Sequence, residues 1–133
     1  MKIDRVTLTY YRWERPAPIT NGLHTYSGVR LCSLQVQTDD GAVGYGVGGA
    51  KAGEREHRER FAQLLIGQDP RLTEAIWAKL WMPKSFGRRG FETRALSSFD
   101  LALWDLKGRL AGMPVHRMVG GFRERIPTYV AGG

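Results

Sequence analysis

The sequence predicts an α+β fold, a three-stranded antiparallel meander followed by a bundle of helices. Three observations carry that expectation. Apolar and polar residues alternate with a period of two in residues 3–12, 28–38 and 42–48, and successive side chains on a strand point to opposite faces, so each segment is a half-buried strand. After Gly53 the period lengthens to that of a helix and stays there as far as Gly112. Strands come first and helices follow, which segregates the two kinds of element instead of interleaving them as a parallel sheet would.

The elements follow in order. Val6, Leu8 and Tyr10 share one side of the first strand, with Arg5, Thr7 and Thr9 on the other. Residues 13–27 contain Pro16, Pro18, Asn21 and Gly22 and read as a long loop, of a length that is usually functional or mobile. Cys32, Leu34 and Val36 form the inner face of the second strand, and Asp39-Asp40-Gly41 is a hairpin turn. Val43, Tyr45 and Val47 lie on one face of the third. His57, Phe61, Leu64 and Leu65 then mark a helix of about three turns. Asp69-Pro70 reads as an N-cap with proline at the first helical position, opening a helix lined by Leu72, Ile76, Trp77, Leu80 and Trp81 that Pro83 stops. A turn-rich stretch over 84–90 leads to the strongest periodicity, Ala95, Phe99, Ala102, Leu103, Leu106 and Leu110 within 91–111. Gly112 is placed to end that helix, with Pro114 beyond it. Residues 114–119 add a short turn, and 126–130 read as a last strand.

Composition narrows the function classes. A length of 133 residues suits one ordinary domain, and 42% hydrophobic with 25% charged residues suits a soluble protein. No window approaches the ~18 apolar residues of a membrane span, and the first residues lack an apolar signal core, so cytoplasm is the expected location. A single cysteine, Cys32, excludes an intrachain disulfide and a cysteine metal cluster. The net charge of +7 raises the question of nucleic acid, but the arginines are scattered rather than striped. Residues 54–60, Glu-Arg-Glu-His-Arg-Glu-Arg, alternate in sign and read as a solvated helix face with i,i+4 pairs. Neither nucleic acid nor membrane is expected as a partner.

Gly44-Tyr45-Gly46-Val47-Gly48-Gly49 matches G-x-G-x-x-G, the fingerprint of dinucleotide binding. That chemistry needs a buried strand before the first glycine, and only Ala42 and Val43 separate Gly44 from the turn. The strand runs through the glycines instead, and they are placed to let another backbone or a substrate approach it closely. Separately, the small residues Ala95, Ser98 and Ala102 let the long helix approach its neighbours closely.

The segment SSFDLALWDLKGRLAGMPVHRMVGG, residues 97–121, resembles the final helix of the capping domain in the mandelate racemase/muconate-lactonising branch of the enolase superfamily. The turn DDGAVGYG and the GQDP segment followed by tryptophan stand in the order that family uses. FGRRGFETRALSSFDLALWDLKGRLAGMP looks most like the acid-sugar dehydratases of galactarate/talarate type. The resemblance implies a capping domain over residues 1–124, with residues 125–133 opening a (β/α) barrel whose active site lies at the C-terminal ends of its strands. The shared step is removal of a proton α to a carboxylate, with Mg²⁺ bound by the barrel. The catalytic lysines, metal carboxylates and histidine of the family come from later barrel strands, so no catalytic or metal residue is expected in this chain, and the chain alone is expected to be inactive. Racemase/epimerase or cycloisomerase chemistry of the same superfamily is the alternative, as is a non-catalytic oligomerising module. The implied partners are a small acid sugar or other α-hydroxy carboxylate, the barrel, and further copies of the chain in a homo-oligomer.

By position, two loops, 16–27 and 47–53, correspond to those that close over the family's barrel. The substrate-binding candidates are therefore His24, Tyr26, Gly48, Gly49 and Lys51, with Arg89 ahead of the long helix. Arg88 and Arg89 have ion pairing to Glu92 or Asp100 as their plainer role. Asp100, Trp104, Asp105 and Lys107 are structural by the family pattern, and Asp105 with Arg109 is an i,i+4 pair. Asp100 and Asp105 lie ~140° apart around a helix and form no acid–base dyad.

Overall fold

Three antiparallel strands form one sheet in the order β1-β2-β3, with β1 at Ile3–Asn21, β2 at His24–Thr38 and β3 at Val43–Gly49. Four helices follow: α1 at Glu54–Leu65, α2 at Thr73–Leu80, α3 at Phe91–Leu110 and α4 at Val115–Met118. This architecture is seen in a computed structural model that describes residues 1–81 and 90–130. None of the described helices is long and apolar enough to cross a membrane.

The core lies between the inner half of the sheet and α3. Cys32, Leu34 and Val36 are buried on the face the alternation assigns them, and Ala95, Phe99, Ala102, Leu103 and Leu106 are buried opposite. Phe61 from α1 meets the Phe99 ring edge-on at 5.9 Å, and Ile76 and Leu80 of α2 close the far side. Asp105 fastens α3 to the sheet: its Oδ2 accepts from the Tyr45 amide at 2.9 Å and from Arg109 Nε at 2.8 Å. The α3 C-terminus is a Schellman turn, with Met113 N donating to Gly108 O and Gly112 N to Arg109 O while Gly112 takes φ +60°.

The glycines of β3 explain how closely helix and sheet approach. Gly44 is buried and Gly46 half-buried, whereas Tyr45 and Val47 are exposed. A Cβ on Gly44 would collide with the Ala102 carbonyl, and one on Gly46 with the Ser98 carbonyl. The backbone that the glycine run admits is that of α3. The helix after the run begins only at Glu54, so the dinucleotide geometry is absent from this segment.

Several expectations need correction. Residues 13–27 are not a loop. β1 and β2 continue as a two-stranded ribbon, pairing Arg12 with Arg30, Trp13 with Val29 and, beyond an irregularity between Glu14 and Ile19, Thr20 with Thr25 and Asn21 with His24. The prolines fall in the irregularity, where no ladder donor is needed, and Gly22-Leu23 is the hairpin turn between the paired Asn21 and His24, with Gly22 at φ +46°. α2 starts at Thr73, not at Pro70: Asp69 instead accepts from the Arg71 amide at 3.0 Å and from its guanidinium, closing a turn ahead of the helix. Leu64 and Leu72 are exposed. Within residues 54–60, Arg55 and Glu59 do form a solvated i,i+4 pair at 2.8 Å, but Glu54 and Arg58 are fully buried. Residues 126–130 form no strand in the described structure and are exposed throughout, because a strand requires a ladder partner. The stop at Pro83, the segment 84–89, and Arg88 and Arg89 lie outside the described residues.

Candidate functional site

The ribbon and the end of β3 meet in a cleft of about 350 Å³. β2 supplies Tyr26 and Arg30, β1 supplies Arg12 and Glu14, and the end of β3 with the segment after it supplies Gly49 and Lys51. Antiparallel register makes this cluster: Arg12 lies opposite Arg30, Glu14 opposite Gly28, and Gly49 pairs with Leu31 on the other edge of β2. Like charges facing across a ladder repel, and Glu14 relieves this by accepting from Arg12 Nη2 at 2.9 Å. Three cationic side chains thus face the cleft against one carboxylate, which favours an anionic or strongly polar occupant.

Of the sequence candidates, the structure brings Tyr26, Gly49 and Lys51 together. His24 stands at the ribbon tip, outside the cleft lining, with its ring 6.2 Å from that of Tyr26 and its amide donating to Asn21 Oδ1. Gly48 turns the other way. A Cβ there would stand 2.8 Å from Arg58 Nη2, so its glycine identity answers to packing. A Cβ on Gly49 would meet nothing within 4 Å, and this residue opens onto the cleft. A second hollow, of about 480 Å³, adjoins on the α3 side and shares Gly49 and Lys51 with the first. Arg89 lies outside the described residues.

Sequence reading misses Arg12, Glu14 and Arg30, because residues 13–27 read as a loop and the register between β1 and β2 is not followed outward. It also misses Glu54 and Arg58. Arg58 Nη2 donates to the Gly49 carbonyl at 2.7 Å and its Nε to Ser98 Oγ at 3.3 Å. Glu54 Oε2 lies 3.2 Å from Arg58 Nη2 and accepts from the Lys51 amide at 3.2 Å.

Three further side chains have shifted acidities. Burial pushes the Cys32 thiol up, so the lone cysteine is not held as a nucleophilic thiolate. Burial likewise raises Tyr10. Burial, with Glu74 nearby, raises Asp100. Among the described residues no group of three His, Cys, Asp or Glu side chains converges as a metal site. These residues therefore do not fit a resident Mg²⁺.

A three-stranded sheet with a helical layer on one face and a cationic cleft at the far end is a two-layer α+β domain. The profile of the mandelate racemase / muconate lactonizing enzyme N-terminal domain matches residues 3–120, and the chain belongs to that family. It is 40% identical to D-galactarolactone cycloisomerase of Agrobacterium fabrum, over 99% of this chain and 36% of that protein. With 3,6-anhydro-alpha-L-galactonate cycloisomerase of Streptomyces coelicolor it shares 33% identity over 98% of this chain and 38% of that one. The crystal structure of L-talarate/galactarate dehydratase from Salmonella typhimurium LT2, liganded with Mg and L-lyxarohydroxamate, superposes with a TM-score of 0.81 at 28% identity, over 92% of this chain and 34% of that chain. The chain thus spans about a third of the length of the curated relatives it matches. It is an enolase-superfamily N-terminal domain related to acid-sugar dehydratases and cycloisomerases.

Proposed function

We propose that this chain is the cap of a Mg²⁺-dependent enzyme that removes a proton α to the carboxylate of an acid sugar or related α-hydroxy carboxylate, most nearly an acid-sugar dehydratase. Residues 1–124 form the cap, and the barrel that begins near residue 125 holds the metal, the base and the acid. The cap's own residues bind and orient. Lys51 and Arg30 draw the substrate's distal carboxylate or hydroxyls, Tyr26 offers a hydroxyl for hydrogen bonding, and the ribbon covers the mouth and excludes water, strengthening every polar contact beneath it. The exposed segment 126–130 would find its ladder partners in the barrel sheet. The observation that supports this reading is the convergence of Tyr26, Gly49 and Lys51 with Arg12 and Arg30 in one cationic cleft. Cycloisomerisation is the second reading, favoured by the relatives from Agrobacterium fabrum and Streptomyces coelicolor. Homo-oligomerisation and a cytoplasmic location belong to the same proposal.

The test is a screen of acid sugars and their lactones with the full-length protein and Mg²⁺, read by mass spectrometry. Loss of the mass of one water marks dehydration, and an isomeric product marks cycloisomerisation or epimerisation. Turnover of none of these compounds overturns the reading.

A further inference from the structure

We propose that Glu54 and Arg58 are positioning residues that clamp the segment Gly49–Ala50–Lys51 in its cleft-facing shape. This rests on the function proposed above for the consequence, but not for the clamp itself. The two side chains hold the segment by its backbone at both ends: Arg58 donates to the Gly49 carbonyl at 2.7 Å, and Glu54 accepts from the Lys51 amide at 3.2 Å. They are in turn joined to each other at 3.2 Å and tied to α3 through Ser98, whose own hydroxyl donates to the Ala95 carbonyl at 2.6 Å. Arg94 of α3 stands 3.7 Å from Glu54 Oε1.

Economy of stability does not account for this arrangement. A buried ion pair contributes little net stability, because removing two charges from water offsets their attraction, and apolar side chains of similar size often serve as well or better. Here the pair is also incompletely satisfied, since Glu54 Oε1 and Arg58 Nη1 are buried without a hydrogen-bond partner. What apolar residues cannot do is grip a carbonyl and an amide two residues apart. Gly48 is shaped to the same end, leaving the space that Arg58 Nη2 occupies. Towards the ribbon, Ala50 N donates to Arg30 O at 3.2 Å. The sheet therefore fixes the segment on one side and the ion pair on the other.

The test replaces the pair as a unit, Glu54→Leu with Arg58→Met, in the full-length protein. The clamp predicts an unchanged or higher Tm, exchange of the Lys51 amide faster by roughly tenfold or more as its charged acceptor is lost, and kcat/KM on the acid sugar lower by roughly tenfold or more through misplacement. A purely structural pair predicts that neither exchange nor kcat/KM moves in the folded variant, and that result overturns the proposal. Faster exchange with unchanged kcat/KM overturns the positioning role. Should the double variant fail to fold, Glu54→Asp decides. It keeps the charge beside Arg58 but withdraws the carboxylate from Lys51, and unaltered Lys51 exchange in it overturns the clamp. Exchange reads the clamp whatever the substrate, so lack of turnover by the unaltered protein counts against the proposed function alone.

Discussion

The β1–β2 hairpin is two structures end to end. Its inner half, residues 3–10 against 31–38, lies on α1 and α3 and buries Ile3, Cys32, Leu34, Val36 and Thr38. Its outer half, residues 11–30, has no buried residue, with Trp13 and Leu23 exposed at 49% and 89%. Both halves are paired, although the ladder is interrupted between Glu14 and Ile19, so hydrogen bonding alone does not distinguish them. Burial does, and a two-stranded ribbon without a packed face is marginally stable by itself. The inner half is where stability resides, and the outer half is where the cleft is built. Substitutions that affect one should leave the other largely alone.

The largest effect is expected in the core. Phe99→Ala removes a fully buried ring that meets Phe61 edge-on and should destabilise by about 3–5 kcal/mol, read by urea denaturation. Gly46→Val follows at roughly 3 kcal/mol, because the new side chain meets a helix backbone carbonyl that has no rotamer by which to yield. A Gly46→Val protein as stable as the parent would show that α3 is not seated on β3 as described.

The cleft should respond in the opposite sense. Tyr26→Ala and Lys51→Ala should each change stability by no more than about 0.5 kcal/mol, being surface changes. Under the proposed function, Lys51→Ala in the full-length protein should raise KM roughly tenfold with kcat nearly unchanged, the effect expected for loss of a hydrogen bond between charged groups worth about 1.5 kcal/mol. Hydrogen exchange sharpens the division further. Amides in 11–30 should exchange by local opening well before those of 31–38, whose release needs the core to open. Equal protection along the hairpin would merge the two halves into one cooperative unit.

The same contrast governs what is legible in the sequence. α3 is legible almost to the residue because twenty residues of helical period, ended by glycine, leave little freedom in phase. The inner strands are legible because one buried face enforces alternation. The ribbon is not, since with neither face buried nothing enforces a pattern, and Pro16 and Pro18 signal a loop. Glu54 and Arg58 escape notice for a different reason. An i,i+4 pair of opposite charges has the same spacing on a solvated face as on a buried one, and only the packing of α1 against α3 and β3 separates the cases. One clue is present: Gly44, Gly46 and Gly48 share one face of β3, and whatever approaches that face has to lie close to the start of α1. Among the residues lining the cleft, Tyr26 and Lys51 are candidates from the place of their segments in the resembled family, whereas Arg12 and Arg30 require the register of the hairpin.

The smallest expected effect lies at the turn before α2, remote from both halves. Arg71 grips both oxygens of Asp69, with Nη2 at 2.6 Å from Oδ2, and its amide donates to Oδ1. These bonds hold the Asp69 carboxyl down at about 2 against an ordinary 3.8. A carboxylate whose pKa is lower in the folded state than in the unfolded one adds stability above the unfolded value. That contribution fades as pH falls from 3.8 towards about 2. Because the pair is open to solvent, the change in stability is slight and the titration itself is the sensitive readout. In Arg71→Ala the Asp69 carboxyl, followed by ¹³C NMR, should titrate higher, back towards 3.8, while global stability at pH 7 stays close to that of the parent. The backbone amide at position 71 would still donate to Oδ1, so recovery should stop short of the ordinary value. An unchanged Asp69 titration would assign the depression to that backbone bond, and would make the turn, rather than its guanidinium, the source of the local order ahead of α2.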